Sequence, residues 1–309
     1  MKGGKQENLA GWLWVSPWVI GFLAFLFLPI AASLLYSFSD FPLLENRLWV
    51  GLDNYIAMAS DAKYWSVLGR TLVYAAVSIP VTTIVALVIA AMLNSKVRGA
   101  GFFQTAVYLP TLVPMAASGM IWLWIFNGDR GLMNAVVGGS LDWVGKLVGA
   151  DLHPAWLTPT WLASKGTAMA VLVVVSLWGV GQMVVVYIAA MREVPEQLYE
   201  AAAIDGMGPM RRFLSITIPM ISPAILFNVI TLSIAALQIF AIPYIFMKAT
   251  PGGDPSSFQF YTTSMYDNAF TYDKMGLASA MAWVQLIFTL ALTGVMISAS
   301  KRMVHYRAA

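Results

Sequence analysis

The chain of 309 residues contains no cysteine. Disulfides, thiol catalysis and cysteine-based metal centres are therefore excluded. Histidine is nearly absent too. His153 and His305 are the two present, and both lie outside the long apolar stretches, so a histidine-built metal site is not expected. Charge is the third scarcity: Asp, Glu, Lys and Arg make up 11% of the chain, against about 25% in soluble domains. The formal net charge of +3 gives no reason to expect a nucleic-acid partner.

The shortage of charge is uneven. Six apolar runs, roughly 12–38, 71–93, 102–126, 167–191, 218–244 and 277–299, hold no Asp, Glu, Lys, Arg or His. Each can cross a hydrocarbon layer, which needs about 20 helical residues. None shows the ~10-residue apolar/polar alternation of barrel strands. The predicted fold class is all-α transmembrane, a six-span helical bundle forming one domain over residues 1–309. The first run is long and lacks a small-residue cleavage site, so it reads as a span and not as a removable signal.

Lys and Arg placement sets the orientation. With the N-terminus in the cytoplasm, the inner segments carry ten basic residues (Lys2, Lys5, Lys96, Arg98, Arg192, Arg211, Arg212, Lys301, Arg302 and Arg307) against five acidic ones, while the outer segments carry eight and ten. Both termini are therefore expected on the cytoplasmic side of the membrane. Trp12, Trp14, Trp18, Trp122 and Trp124 lie at run ends, as interfacial belts do. The outer segment 127–166 is the longest link and is expected to hold a short interfacial helix.

The absent charges also bear on mechanism. Proton- and ion-driven transporters place ionisable groups at membrane depth because their chemistry needs them, and the six runs offer none. Nor does this chain hold a nucleotide site. The Gly145-Lys146 pair has Ser140 where a phosphate-binding loop needs Gly, and Leu147 where it needs Ser or Thr. Energy for uphill movement has to enter from elsewhere. What the runs do contain is uncharged polar groups and helix breakers. Asn228, Thr231 and Gln238 fall three and seven residues apart and are expected on one stripe of a helix. Gly179, Gly181 and Gln182 follow Trp178, and Pro80, Pro110, Pro114, Pro219, Pro223 and Pro243 sit in or beside runs. Two readings stand: packing glue between helices, or the lining of a path where broken helices are tolerated.

Between the fourth and fifth runs lies "VPEQLYEAAAIDGMGPMRR". Pro195 suits a first helical position, the Glu-Gln-Leu and Ala residues favour helix, and Gly206 suits a C-terminal cap. A helix over 195–205 is predicted, with Leu198, Ala201 and Ala202 as a small-residue face. Gly206 and Gly208 then turn the chain, and Pro209 restarts a helix.

This stretch resembles the EAA loop of ATP-binding-cassette importer permeases: Glu-Ala-Ala, three residues, Gly, nine residues, Ile-x-Leu-Pro. Glu200, Ala201, Ala202, Gly206, Ile216 and Pro219 match at that spacing, and Ile218 replaces Leu. "VGLDNY" (50–55), "LNSKVRGAGFFQTAVYLP" (93–110), "WLWIFNGDRGLMN" (122–134) and "ATPGGDP" (249–255) are similar to the carbohydrate-uptake, maltose-type branch. The resemblance implies a type I importer permease, one half of a pair with a second related permease chain. It implies two ATP-binding-cassette ATPase subunits, which hold ATP and Mg while this chain carries no cofactor and is not an enzyme, and an extracytoplasmic solute-binding protein that delivers the sugar. By the same resemblance, Leu198, Glu200, Ala201, Ala202, Asp205 and Gly206 of the 195–212 loop dock the ATPase. Gly179, Gln182, Thr231, Ala235 and Gln238 match the family's sugar-contacting positions, beside Trp178 and Asn228 from the polar pattern. The same machine carrying glycerol-phosphate or another polyol derivative is the alternative, and a secondary transporter lacks its coupling groups here.

Overall fold

The structure, a computed structural model, describes residues 4–41, 48–94, 99–128, 130–148, 161–249 and 255–303. Lys96, Arg98, most of the 249–255 passage and the basic tail beyond 303 lie outside them. The described residues are helical apart from short links and one two-residue hairpin, β1 (Ser39–Asp40) with β2 (Leu48–Trp49), antiparallel with Ser39 opposite Trp49.

The first run is one continuous helical stretch: α1 (Gly4–Phe22), a π turn (Leu23–Phe27) and α2 (Leu28–Ser37). It begins several residues before the apolar run. After the short α3 (Asp53–Ser60), the second run lies in the 33-residue α4 (Ala62–Asn94), which holds Pro80 in its interior. The third run is not a straight crossing. α5 (Ala100–Tyr108) with its 3-10 extension to Leu112, and α6 (Met115–Ile125), meet at a bend of 99°. The cause is local: Pro114 removes a donor and drives Val113, at ψ 127°, out of the helical region. The fourth run is bent by 51° between Gly166–Gly179 and Gly181–Arg192. It comprises α8 (Lys165–Ser176), a 3-10 turn (Leu177–Gly179) and α9 (Gly181–Arg192), and α7 (Leu132–Val148) precedes it as the helix expected in the outer segment. The fifth run contains α13 (Ser222–Leu237) and α14 (Ala241–Ala249), reached through α10 (Glu196–Ile204), α11 (Pro209–Arg212), a π turn (Phe213–Thr217) and α12 (Ile218–Met220). α15 (Tyr261–Tyr266) leads to α16 (Met275–Met303), the sixth run. Among the described residues, four helices are long and apolar enough to cross a membrane, and six when each bent pair is counted as one span.

The chain divides into two compact units. The first comprises 1–65 and 264–288. Here "VGLDNY" has a structural use. Gly51 adopts a left-handed φ of +60° to turn the chain, and Asp53 opens α3, where the positive end of the helix dipole favours a carboxylate. Asn54 donates both amide hydrogens, to the carbonyls of Ser37 (3.0 Å) and Ser39 (2.9 Å), and Tyr55 donates to Ser37 Oγ at 2.8 Å. A helix leaves its last carbonyls without partners, and Asn54 supplies them where α2 ends. Gly276 completes the arrangement, since a Cβ there would overlap the Ser39 carbonyl.

The second unit comprises 66–263 and 289–309. One core cluster gathers Tyr74, Phe126, Val171, Leu172, Phe246, Phe258 and Phe260. A second gathers Ala86, Ala90, Val184, Tyr187, Ile188, Met191 and Ile221. Arg70 fastens segment 255–261 to α4, donating from Nη1 to the carbonyls of Ser256 and Gln259, while Thr71 Oγ1 accepts from the Tyr261 N–H at 2.9 Å.

Candidate functional site

Two groups of residues are candidates, both in the second unit. The first is the loop 195–212. Its helix runs Glu196–Ile204, with Pro195 as N-cap at ψ 130° and not as the first helical residue. The helix ends in a Schellman arrangement: the Met207 N–H bonds the Ala202 carbonyl at 2.9 Å and the Gly206 N–H bonds the Ala203 carbonyl at 3.1 Å. Gly206 has φ +71°, and a Cβ would meet nothing within 4 Å, so the demand for glycine is conformational and not steric. Gly208 has an ordinary extended backbone (φ −69°, ψ 163°) and needs no special residue. Only the first of the two expected turn glycines is thus required by its geometry.

Of the three residues of the predicted face, Leu198 and Ala201 point outward and Ala202 does not. Ala202 is 4% exposed and belongs to the protein's own interior, whereas Leu198, Glu200, Ala201 and Asp205 are exposed. The outward face is set by Gln197, Glu200, Ala201 and Ile204, three or four residues apart. Ile204 is 87% exposed. Sequence reasoning missed it because the small-residue motif drew the face toward Ala202. The available signal was a bulky aliphatic residue in an otherwise polar and small helix, directly before Asp-Gly. The inner side of the loop is bonded down. Tyr199 OH and Thr217 Oγ1 share a hydrogen bond of 2.8 Å, and Arg212 Nε donates to the Met207 carbonyl at 2.6 Å. Arg212 therefore serves the turn itself, while Arg211 is exposed.

The second group lies at the membrane-depth breaks. α9 presents Gln182, Val185 and Ala189 outward, α13 presents Phe227, Thr231 and Ala235, and Gln238 is exposed at the C-cap of α13. Gly179, at the bend of the fourth run, is exposed with open space around it. Two expected members are elsewhere. Asn228 is 6% exposed and sits beside Tyr187 in the interior, so it does not continue the outward stripe of Thr231 and Gln238. Trp178 turns inward against Trp122, ring centres 5.5 Å apart and edge-on. Both indole N–H groups are buried without a partner among the described residues. Trp122 thus turns away from the expected interfacial belt, whereas Trp12, Trp14, Trp18 and Trp124 are exposed. Gly181 is a packing residue: a Cβ would lie 2.8 Å from Tyr108 Cα and overlap the Val107 carbonyl, so its absence lets α9 lie close to the end of α5. Among the described residues no group of three or more His, Asp or Glu could hold a metal ion.

Residues 82–307 match the family described as binding-protein-dependent transport system inner membrane component. The chain is 34% identical over 305 residues to the probable ABC transporter permease protein YesP of Bacillus subtilis (strain 168), covering 98% of this chain and 94% of the relative. It is 29% identical over 293 residues to the trehalose/maltose transport system permease protein MalF of Thermococcus litoralis, covering 93% and 92%. A bacterial alginate ABC transporter, solved in complex with an alginate pentasaccharide-bound periplasmic protein, superimposes with a TM-score of 0.78 at 18% identity, covering 96% of each chain.

Proposed function

The chain belongs to the family of binding-protein-dependent transport system inner membrane components, and we propose that it forms half of the translocation path of an ATP-binding-cassette importer for a sugar or oligosaccharide. It is a multi-pass transport permease subunit. A second, related permease chain supplies the other half of the path. Two ATPase subunits hold ATP and Mg, so that this chain carries no cofactor, and a solute-binding protein delivers the substrate from outside. Both termini face the cytoplasm, following the basic bias of the inner segments.

The observation that carries this reading is the form of loop 195–212. A short helix, capped by Gly206 at φ +71°, shows Glu200, Ala201, Asp205 and an exposed Ile204 outward while its inner side is bonded to its own chain. What supports a joint with a soluble partner is that Glu200, Ala201, Ile204 and Asp205 of this capped helix are all exposed, while Tyr199 and Ala202 hold it to its own chain. A saccharide is favoured by the trehalose/maltose permease among the relatives. The exposed amides Gln182 and Gln238 fit it too, since each offers donors and an acceptor to hydroxyls. With Gly179, Thr231 and Ala235 they line the path, and Trp178 and Asn228 support it from the interior.

The test is reconstitution of the complete importer in vesicles. Radiolabelled di- and trisaccharides and glycerol phosphate are offered in parallel, with ATP enclosed. Uptake of a saccharide is expected, and Gln182→Leu and Gln238→Leu each lower it about tenfold, equivalent to ~1.4 kcal/mol, with unchanged protein abundance. Uptake of glycerol phosphate alone would reassign the substrate, and a chain that retains no ATPase on purification would reject the importer reading.

A further inference from the structure

The importer reading above is the basis of this inference, which concerns how motion would pass from α10 to α13. The covalent route between them is soft. It runs through Gly206, Met207 and Gly208 and then through the π turn Phe213–Thr217, which holds one residue more than an α turn. Glycine is the most permissive backbone unit, so a displacement of α10 would be absorbed in this turn before reaching α13. A second route bypasses it. Tyr199, on the inner side of α10, and Thr217, the last residue of the π turn, share the 2.8 Å hydrogen bond. Thr217 is 5% exposed, and Tyr199 packs against the cluster of Val184, Tyr187, Ile188 and Ile221. The Thr217 carbonyl in turn accepts from the Ile221 N–H at 3.0 Å, and α13, with Thr231 on its outward face, starts at the next residue. The Arg212 bond to the Met207 carbonyl is local to the turn and reaches neither α10 nor α13.

We propose that Tyr199 and Thr217 form a strut that carries displacement of the coupling helix directly into the fifth span. They are positioning residues. Neither faces the ATPase surface, and neither touches the path. The strut closes a ring across residues 199–217, so α10 and the start of α13 move as one body and not as two elements joined by a flexible turn. The hydroxyls matter for this role, whereas the aromatic ring and the Thr methyl group serve packing.

The experiment uses the assembled importer in vesicles, with the solute-binding protein purified carrying its own bound solute. Tyr199→Phe keeps the ring and removes only the hydroxyl, and Thr217→Val keeps the shape. Each is expected to retain the ATPase at the wild-type level on purification while ATP hydrolysis stimulated by the binding protein falls about threefold to tenfold, the range set by loss of one hydrogen bond. The double variant falls no further than either single variant, and Thr217→Ser restores stimulation. Wild-type stimulation in both single variants, or a double variant whose loss is the product of the two, overturns the strut. Loss of ATPase retention in Tyr199→Phe also overturns it, because the hydroxyl would then serve docking. A wild-type chain that retains no ATPase rejects the importer reading and the strut with it. Normal wild-type coupling with unaffected variants rejects the strut alone.

Discussion

In "VGLDNY" the polar side chains turn back onto their own chain: Asn54 donates to Ser37 and Ser39, and Tyr55 donates to Ser37. In loop 195–212 the polar side chains mostly turn away, with Glu200, Asp205 and Arg211 exposed beside Ile204. Both stretches interrupt an apolar chain, and both contain one glycine at positive φ, Gly51 and Gly206. The difference is in what their polar groups satisfy. The first settles the Ser37 carbonyl at the end of α2 and the Ser39 carbonyl just beyond it, needs internal to the fold. The second satisfies its own cap with backbone bonds and leaves Glu200, Asp205 and Arg211 exposed. Damage to the first should therefore appear as lost stability, and damage to the second as lost coupling in a stable protein.

The contrast is sharpest at Gly276. Valine there must displace the Ser39 backbone, and a loss of about 3 kcal/mol or more is expected, seen as little folded protein in detergent extracts. Asn54→Ala comes next. It leaves the two carbonyls of the fully buried Ser37 and Ser39 unpaired, at a cost of about 2 kcal/mol, seen as a lower melting temperature while any assembled protein still couples normally. Ile204→Ser is the smallest in stability, within about 0.5 kcal/mol as for other exposed changes. Retention of the ATPase on purification nevertheless falls about tenfold, as for an apolar anchor in an interface. A destabilised Ile204→Ser, or a stable Asn54→Ala that fails to couple, would dissolve the distinction between the two segments.

Pro80 and Pro114 show why the spans were only partly legible. Each lies within an apolar run. α4 continues through Pro80, whereas the chain breaks by 99° at Val113–Pro114. The missing N–H is the same at both. Pro110 lies four residues before Pro114, so the carbonyl that would have bonded at position 114 belongs to a second proline, itself in a 3-10 turn. One lost bond is tolerated inside a long helix, and two within a single turn leave too little to hold it. The spacing of the prolines was visible in the sequence, but the bend angle was not.

The sequence alone determined that this is a polytopic helical membrane protein, because transfer into hydrocarbon depends on summed residue composition over each run and needs no knowledge of neighbours. It also determined the capped helix of loop 195–212, because a helix of nine residues closed by Gly206 is a local object. Tertiary structure decided which way side chains face. Helical periodicity places Asn228, Thr231 and Gln238 near one another but leaves the phase of the helix open. The phase was set by α9 packing on α13, which buries Asn228 beside Tyr187 and leaves Thr231 and Gln238 outside. Likewise Ala202 went inward and Ile204 outward, and Gly181 became a point of close approach to Val107. Each of these outcomes depends on a surface contributed by residues distant in the chain, and no local pattern encodes that surface.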